Sequence, residues 1–411
     1  MKQVPRLSYT NSGRAILALS SNAVHKLWKW EKSDQNLTGR ATTSEVPQLW
    51  QPPDGNLMTN DTCGANPEDA VPCFALSNDD YCLMSASGGE ISWFNMRTFQ
   101  TIKKFTPPPP PNNDIIEIGM EDSAIQIYSG RVDEIQNNLK GNRRIIKGFA
   151  FSNSLNVLVS FSAESQMMIT FLPHPRSSSC FNYCNRNGRL LYSNLSFSIS
   201  QGHQKRITSL AFSNVLNVLV SSGADSQLCV WSTDGWEMQA SKFLQMPTGQ
   251  GAAPFADTRV QFHVDQIYLL VVHETQIATC KAPELECLKQ WDTREASAPI
   301  TDATYSCDGQ SIYVSFEDGS INVLSASTLR LRCHINPAAY IPPNPNLRVY
   351  PLVIAAHPSQ PNQFALGLTD GSVYVLEPLE SEGEWGGSPP VENGAEPSTT
   401  SSATDSDQPQ R

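Results

Sequence analysis

The residues whose types and spacing could do chemistry lie in Gly202–Gln239, where His203, a serine at 221 or 222, Asp225 and Trp231 follow one another within thirty positions. A histidine, a carboxylate and a hydroxyl are the parts of a nucleophilic triad. No nucleophile in a fitting context accompanies His203 and Asp225, so the set reads instead as a structural clamp of His203, Ser221, Asp225 and Trp231. In such a clamp a buried imidazole bridges a turn carboxylate and a hydroxyl, and the indole N–H finds an acceptor. His174, Cys180 and Cys184 invite a zinc reading, but the usual structural site pairs one C-x₂₋₄-C knuckle with a second, and no second is present. His263, His273, His334 and His357 stand singly in strands or at strand ends and read as packed or surface residues. The expectation is no catalytic residue, no cofactor and no metal.

The elements around the clamp explain its spacing. Ile207–Ser213 alternates roughly between apolar and polar residues, Val218–Ser222 is strand-prone, and Gly223–Ser226 is a tight turn. Leu228–Trp231 is a second apolar run. Short strands broken by turns read as an antiparallel meander. The Gly-His opening and the closing Trp match the WD-type repeat, one blade of a β-propeller.

Similar units start near positions 7, 71, 114, 258, 300 and 349. With the unit at 202 they make seven, and seven blades closing on themselves remove free sheet edges. Asp114–Tyr128 has the second and third strands of a unit but no recognisable first strand. Gly141–Thr170 aligns without gaps on Gly202–Trp231, and half of the aligned positions are identical. It carries Asn142, Glu164 and Thr170 in place of His203, Asp225 and Trp231, so it reads as a relaxed copy that does not close as a full blade. Phe171–Ser200 fits no repeat and reads as an irregular insertion. Pro107–Pro111 favours polyproline II, as a stiff linker or a dock for a WW-type domain. The fold expectation is thus all-β: a WD-repeat β-propeller over 1–379, seven blades with one incomplete, a degenerate repeat plus insertion at 141–200, and a disordered tail over 380–411.

Composition narrows the partners. The chain has 411 residues, 39% of them hydrophobic, with eight Trp and sixteen Phe, enough for a core. A formal charge of −11 argues against nonspecific binding to nucleic acid, which needs a basic surface. No apolar run reaches the roughly 18 residues that span a bilayer, and Met1–Thr10 lacks a signal-peptide core. Ten scattered cysteines, several inside expected strands, fit reduced thiols in cytosol or nucleus.

Long words in the chain carry a more specific message: TNSGRAILALSSNAVHKLWKW, NPEDAVPCFALSNDDYCLMSASGG, IGMEDSAIQIY, GHQKRITSLAFSNVLNVLVSSGADSQLCVWSTDGWE, LVVHETQ, PLVIAAHP and the ending LESEGEWG…SDQPQR. They resemble the C-terminal propeller of the TOPLESS and TOPLESS-related family, plant co-repressors of the Groucho type. The resemblance implies a nuclear transcriptional co-repressor. Such proteins are recruited by DNA-bound repressors, including those of auxin and jasmonate signalling, and recruit histone deacetylase complexes in turn. It implies protein partners, histones among them, with no direct nucleic-acid or membrane contact. In the family an N-terminal helical domain tetramerises and grips the EAR-type LxLxL peptide; nothing in 1–411 looks like that region. The chain also departs from the family by lacking an AATFLAFHP-type strand after the proline run and by carrying Gly141–Ser200. Two other readings fit the residues: a truncated product that is inert or competes for downstream partners, and a WD-repeat scaffold unrelated to transcription.

Overall fold

The computed structural model describes residues 3–29, 47–59, 74–85, 91–105, 115–119, 124–129, 135–140, 146–152, 154–155, 157–162, 165–171, 196–199, 202–245, 257–292, 298–341, 348–378 and 383–385. Its strands pair almost wholly with their neighbours in sequence, because short turns favour hairpins over crossovers. The turn residues supply what those hairpins need: Asn217 and Ser226 bracket one strand of the clamp unit with positive φ, and Gly319 and Gly371 do the same beside Glu317-Asp318 and Thr369-Asp370.

Among the described residues the strands form eight sheets. The first holds Arg6–Tyr9, Ala15–Leu19, Val24–Lys29 and Gln48–Trp50, with Met58–Thr59 added to its third strand. The second holds Phe74–Leu76, Cys82–Ser85, Ile91–Asn95 and Thr101–Phe105, and the third Ile115–Gly119, Ala124–Ser129 and Ile135–Lys140. The fourth holds Ile146–Ser152, Val157–Ser162, Met167–Phe171 and Ser196–Ile199; the fifth Ile207–Ser213, Val218–Gly223, Gln227–Ser232 and Met238–Phe243. The sixth holds Arg259–Phe262, Tyr268–His273, Gln276–Lys281 and Glu286–Asp292. The seventh holds Ile300–Tyr305, Ser311–Phe316, Ile321–Ser325 and Leu331–Ile335, and the eighth Pro351–Ala356, Phe364–Leu368 and Val373–Leu376.

Two expectations are corrected here. Among the described residues the copy at 141–170 builds a sheet of its own beside the seven expected units, and it takes Ser196–Ile199, from the expected insertion, as its fourth strand. The copy reproduces the register of its parent, including the irregularity between Ile146 and Gly148 that matches the one between Ile207 and Ser209. Its apolar strands suffice: Val157, Val159, Phe161, Met167 and Ile169 pack in one cluster with Leu219 and Trp231 of the fifth sheet. Losing the three clamp residues therefore does not stop the sheet from forming. The second correction concerns the tail, where Gly383–Trp385 pairs in parallel with Leu331–Ile335. The rest of 380–411, the proline run and most of 172–200 lie outside the described residues. The third sheet, expected to lack a strand, has three.

Among the described side chains, neighbouring sheets bury one another's faces. Second strands such as Ala15–Leu19, Val218–Gly223 and Ser311–Phe316 are buried at every position, whereas the fourth strand Met238–Phe243 is almost wholly exposed. Burial on both faces explains why the inner strands read as apolar runs rather than strict alternation. Shared cores join the fourth sheet to the fifth, the fifth to the sixth, the sixth to the seventh and the seventh to the eighth. Two more join the eighth sheet to the first and the first to the second. First strands touch between the fourth and fifth, fifth and sixth, seventh and eighth, and eighth and first sheets. This is the arrangement of a WD-repeat β-propeller.

A belt of hydrogen bonds runs along the turns between first and second strands. Asp80 accepts from the backbone N–H groups of Asn11 and Ser12 at 2.7 and 2.8 Å. Ser152 donates to Asn214 at 3.0 Å, and Ser213 to the Gln266 carbonyl at 2.6 Å. His263 bonds the Gly309 carbonyl at 3.0 Å, Tyr313 the Pro361 carbonyl, and His357 the Gly13 carbonyl at 3.0 Å. Each link joins one sheet to the next.

Candidate functional site

The four clamp residues come together at the other end of the fifth sheet. Gly202, with φ +131°, lets the chain cross the Trp231 indole so closely that a Cβ there would lie 2.7 Å from the ring. His203 follows directly and is buried. Its Nε2 lies 2.6 Å from Ser221 Oγ, and the Trp231 indole N–H donates to the same oxygen at 2.8 Å. The indole can only donate, and a serine oxygen can accept from it while also bonding an imidazole nitrogen, so Ser221 Oγ bridges Trp231 and His203. Among the described residues His203 Nδ1 and Asp225 Oδ2 have no hydrogen-bond partner. Both side chains border Gly223, where a Cβ would sit 2.5 Å from Asp225 Oδ1 and 2.8 Å from His203 Nδ1. Asp225 Oδ1 accepts from the Gln227 N–H at 3.2 Å and so shapes the turn. Ser222 bonds elsewhere, to the Thr258 carbonyl at 2.7 Å. Burial drives the His203 pKa from 6.5 down to about 4, against the weaker pull of Asp225.

A cleft of about 400 Å³ opens between the fifth, sixth and seventh sheets, with Arg206, Asp257, Arg259, His273 and Glu274 in its wall. Its cations are engaged. Arg206 pairs with Asp257 at 2.5 Å and Arg259 with Asp302 at 2.6 Å. Asp302 is buried on the seventh sheet's first strand and also accepts from the Ile354 N–H at 2.9 Å and the Ala303 N–H at 2.8 Å. One carboxylate thus ties three successive first strands together. Burial raises its pKa, and Arg259 opposes that rise.

Other acids are spent on turns. Asp79, Asp308, Asp318 and Asp370 each accept from a nearby serine hydroxyl and a backbone N–H. Among the described residues no group of three or more His, Cys, Asp or Glu could hold a metal. His174, Cys180 and Cys184 lie outside them.

The amino-acid sequence, compared with known proteins, gives one family profile and several long relatives. The profile described as "WD domain, G-beta repeat" matches residues 194–232, the clamp unit with the strand before it. Topless-related protein 4 of Arabidopsis thaliana is 53% identical over 99% of this chain. Protein TOPLESS of Arabidopsis thaliana and protein TPR3 of Oryza sativa subsp. japonica are each 51% identical over 100% of it. This chain is similar to the Topless-related proteins along nearly its whole length. It spans about a third of the length of those relatives, 31% to 32%. Among solved structures, the computationally designed Ika8 protein superposes with a TM-score of 0.60 at 15% identity, covering 92% of this chain and 96% of its own, which speaks for the fold alone.

Of the four residues singled out in the sequence, His203, Ser221 and Trp231 share hydrogen bonds at Ser221 Oγ, while Asp225 bonds the Gln227 N–H in the turn. Sequence reasoning missed Asp302, which looks like any turn-proximal acid until its three partners are known. It also missed the belt histidines: His263 and His357 were read as single packed residues, yet each reaches a glycine carbonyl of the next sheet. A histidine two residues before an Asp or Ser turn, with a glycine at the same place one unit later, was the available signal.

Proposed function

We propose that the chain is a protein-interaction scaffold of a nuclear transcriptional co-repressor, with no chemistry of its own, serving repressors of hormone signalling such as auxin and jasmonate. The observation that carries this reading is 46% to 53% identity to Topless-related proteins along 94% to 100% of the chain. A stacked ring holds its loops rigidly, and contacts with partners come from a few side chains on those loops. The partners are histone deacetylase complexes and histones. His203, Ser221, Asp225 and Trp231 act in this reading as a clamp that fixes the fifth sheet's turn to its entering loop.

The test is to tether the full chain to a DNA-binding domain upstream of a reporter in plant cells, and to pass purified deacetylase complex and histone tails over the immobilised chain. Reporter output falls and the complex or the tails are retained, while an LxLxL peptide passes through. An unchanged reporter together with no retention contradicts the proposal.

A further inference from the structure

Four sheets, the second, fifth, sixth and seventh, carry an irregularity at the same place, where the third strand meets the fourth. The paired residues just past it are Phe94 and Thr101 in the second sheet, Trp231 and Met238 in the fifth, and Leu324 and Leu331 in the seventh. In the sixth sheet the same position holds two cysteines, Cys280 opposite Cys287. Residues directly opposed in an antiparallel pair have Cα atoms roughly 4.5–5.5 Å apart, inside the range that a disulfide spans. The extra residue of the irregularity, Leu288, is the exposed one beside Cys287. The Cys280 thiol feels Cys287 electrostatically, and Cys287 Sγ itself donates to the Lys289 carbonyl at 3.7 Å.

We infer that Cys280 and Cys287 form a peroxide-sensitive thiol pair, which closes to a disulfide on oxidation and so staples the outer hairpin of the sixth sheet. The two cysteines divide the work by exposure. Cys287 is exposed on the outer strand and is the sulfur that hydrogen peroxide reaches; Cys280 is buried in the core shared with the fifth sheet. The Cys287 thiolate attacks one peroxide oxygen, the O–O bond breaks, and a sulfenic acid and hydroxide result. Cys280 sulfur then attacks the sulfenic sulfur, the S–O bond breaks, and water leaves with the Cys280 proton. Two thiols lose two electrons and one peroxide becomes two waters.

The neighbourhood favours the second step. Burial holds the Cys280 thiol protonated, and the charge of a Cys287 thiolate pushes it further in the same direction. Oxidation of Cys287 to the neutral sulfenic acid removes that second influence, while Lys242, which favours the Cys280 thiolate, stays in place with its ammonium 3.3 Å from the Leu285 carbonyl in the same hairpin. In a reducing compartment the resting state is the dithiol, and a disulfide there is transient and regulatory rather than structural.

The experiment treats the folded full chain with stoichiometric hydrogen peroxide, alkylates the remaining thiols and digests with trypsin. Cleavage after Lys281 separates the two cysteines, so a disulfide appears as two peptides joined, two hydrogens lighter than the sum, and released by dithiothreitol. The linked pair is expected from the wild type and absent from C280A and C287A. In C280A a sulfenic acid at Cys287 is expected to be trapped by dimedone. Because C287A alters an exposed side chain, its fold is retained and it reports on Cys280 alone: Cys280 should resist both peroxide and alkylation. Three results overturn the inference: both thiols still alkylated in the wild type, Cys287 carried to sulfinic acid without linkage, or either cysteine joined to a different one.

Discussion

His357 Nε2 donates to the carbonyl of Gly13 at 3.0 Å, joining residues that stand 344 positions apart. The direction is fixed locally. His357 Nδ1 accepts from the N–H groups of Ser359 and Gln360 at 3.1 and 2.9 Å, so the ring proton must sit on Nε2. Tyr9 packs edge-on against the same imidazole, with ring centroids 4.8 Å apart. The same relationship recurs between His263 and Gly309, 46 positions apart, one pair of sheets earlier in the circuit. Both glycines have positive φ, +70° and +72°.

Gly13→Ala and Gly309→Ala should therefore destabilise the fold. At either site a methyl group would come within 3.0 Å of the partner imidazole, on a backbone that L residues adopt only with strain. The cost is about 1–3 kcal/mol each. Chemical denaturation checks it. Gly13→Ala should also loosen the junction of the first and eighth sheets, seen as faster amide exchange in Ala15–Leu19 than in the wild type. Equal stability in both variants would remove the clasp from the account.

Ser221→Ala strips one oxygen from two partners, the Trp231 indole N–H and His203 Nε2. It should cost about 1–3 kcal/mol, whereas Trp231→Phe, which keeps the burial but loses the N–H, should cost about 1 kcal/mol beyond the change in packing. The double variant should be less destabilised than the sum, because both changes remove the same bond. Strict additivity in urea titrations would mean that the two residues do not act together.

The buried histidines make the fold acid-sensitive. Burial lowers His25 and His203 from 6.5 to about 4, and lowers His273 as well. The unfolded chain takes up these protons near 6.5 and the folded chain does so only near 4. Stability from these groups is thus complete above about pH 6.5, falls as the pH drops, and levels off near pH 4. At pH 5 His25 and His203 should each cost about 2 kcal/mol relative to pH 7.5. Comparing the urea midpoint at the two pH values, for the wild type and His203→Gln, measures this; the variant should lose less. A wild-type midpoint that does not move would contradict the assignment of neutral buried rings.

Which features were legible in the sequence follows the range of the interactions. The strands and turns of the fifth, seventh and eighth sheets were readable because hairpins are local: Asp318 and Asp370 bond serines two residues away. The contact of His203 and Trp231 with Ser221 is local in the same way, since all three lie within one unit. The Asp302 junction was not, because Arg259 and Ile354 come from other units and nothing local marks them as partners. The copy at 141–170 was misjudged because its missing clamp outweighed its retained apolar strands. The energetics run the other way: a clamp adds a few hydrogen bonds, while two buried strands remove many side chains from water. Gly383–Trp385 was hidden in a polar tail, where a three-residue strand leaves no periodicity to detect.

The central claim is that eight sheets, the copied one included, make up the propeller. Amide hydrogen exchange on the full chain tests it most directly, by comparing Val157–Ser162 and Met167–Phe171 with their counterparts Val218–Gly223 and Gln227–Ser232. The account predicts slow exchange in both sets, within about tenfold of each other after correction for intrinsic rates. Exchange of 157–171 at the rate of an unstructured peptide, beside a protected 218–232, would contradict it.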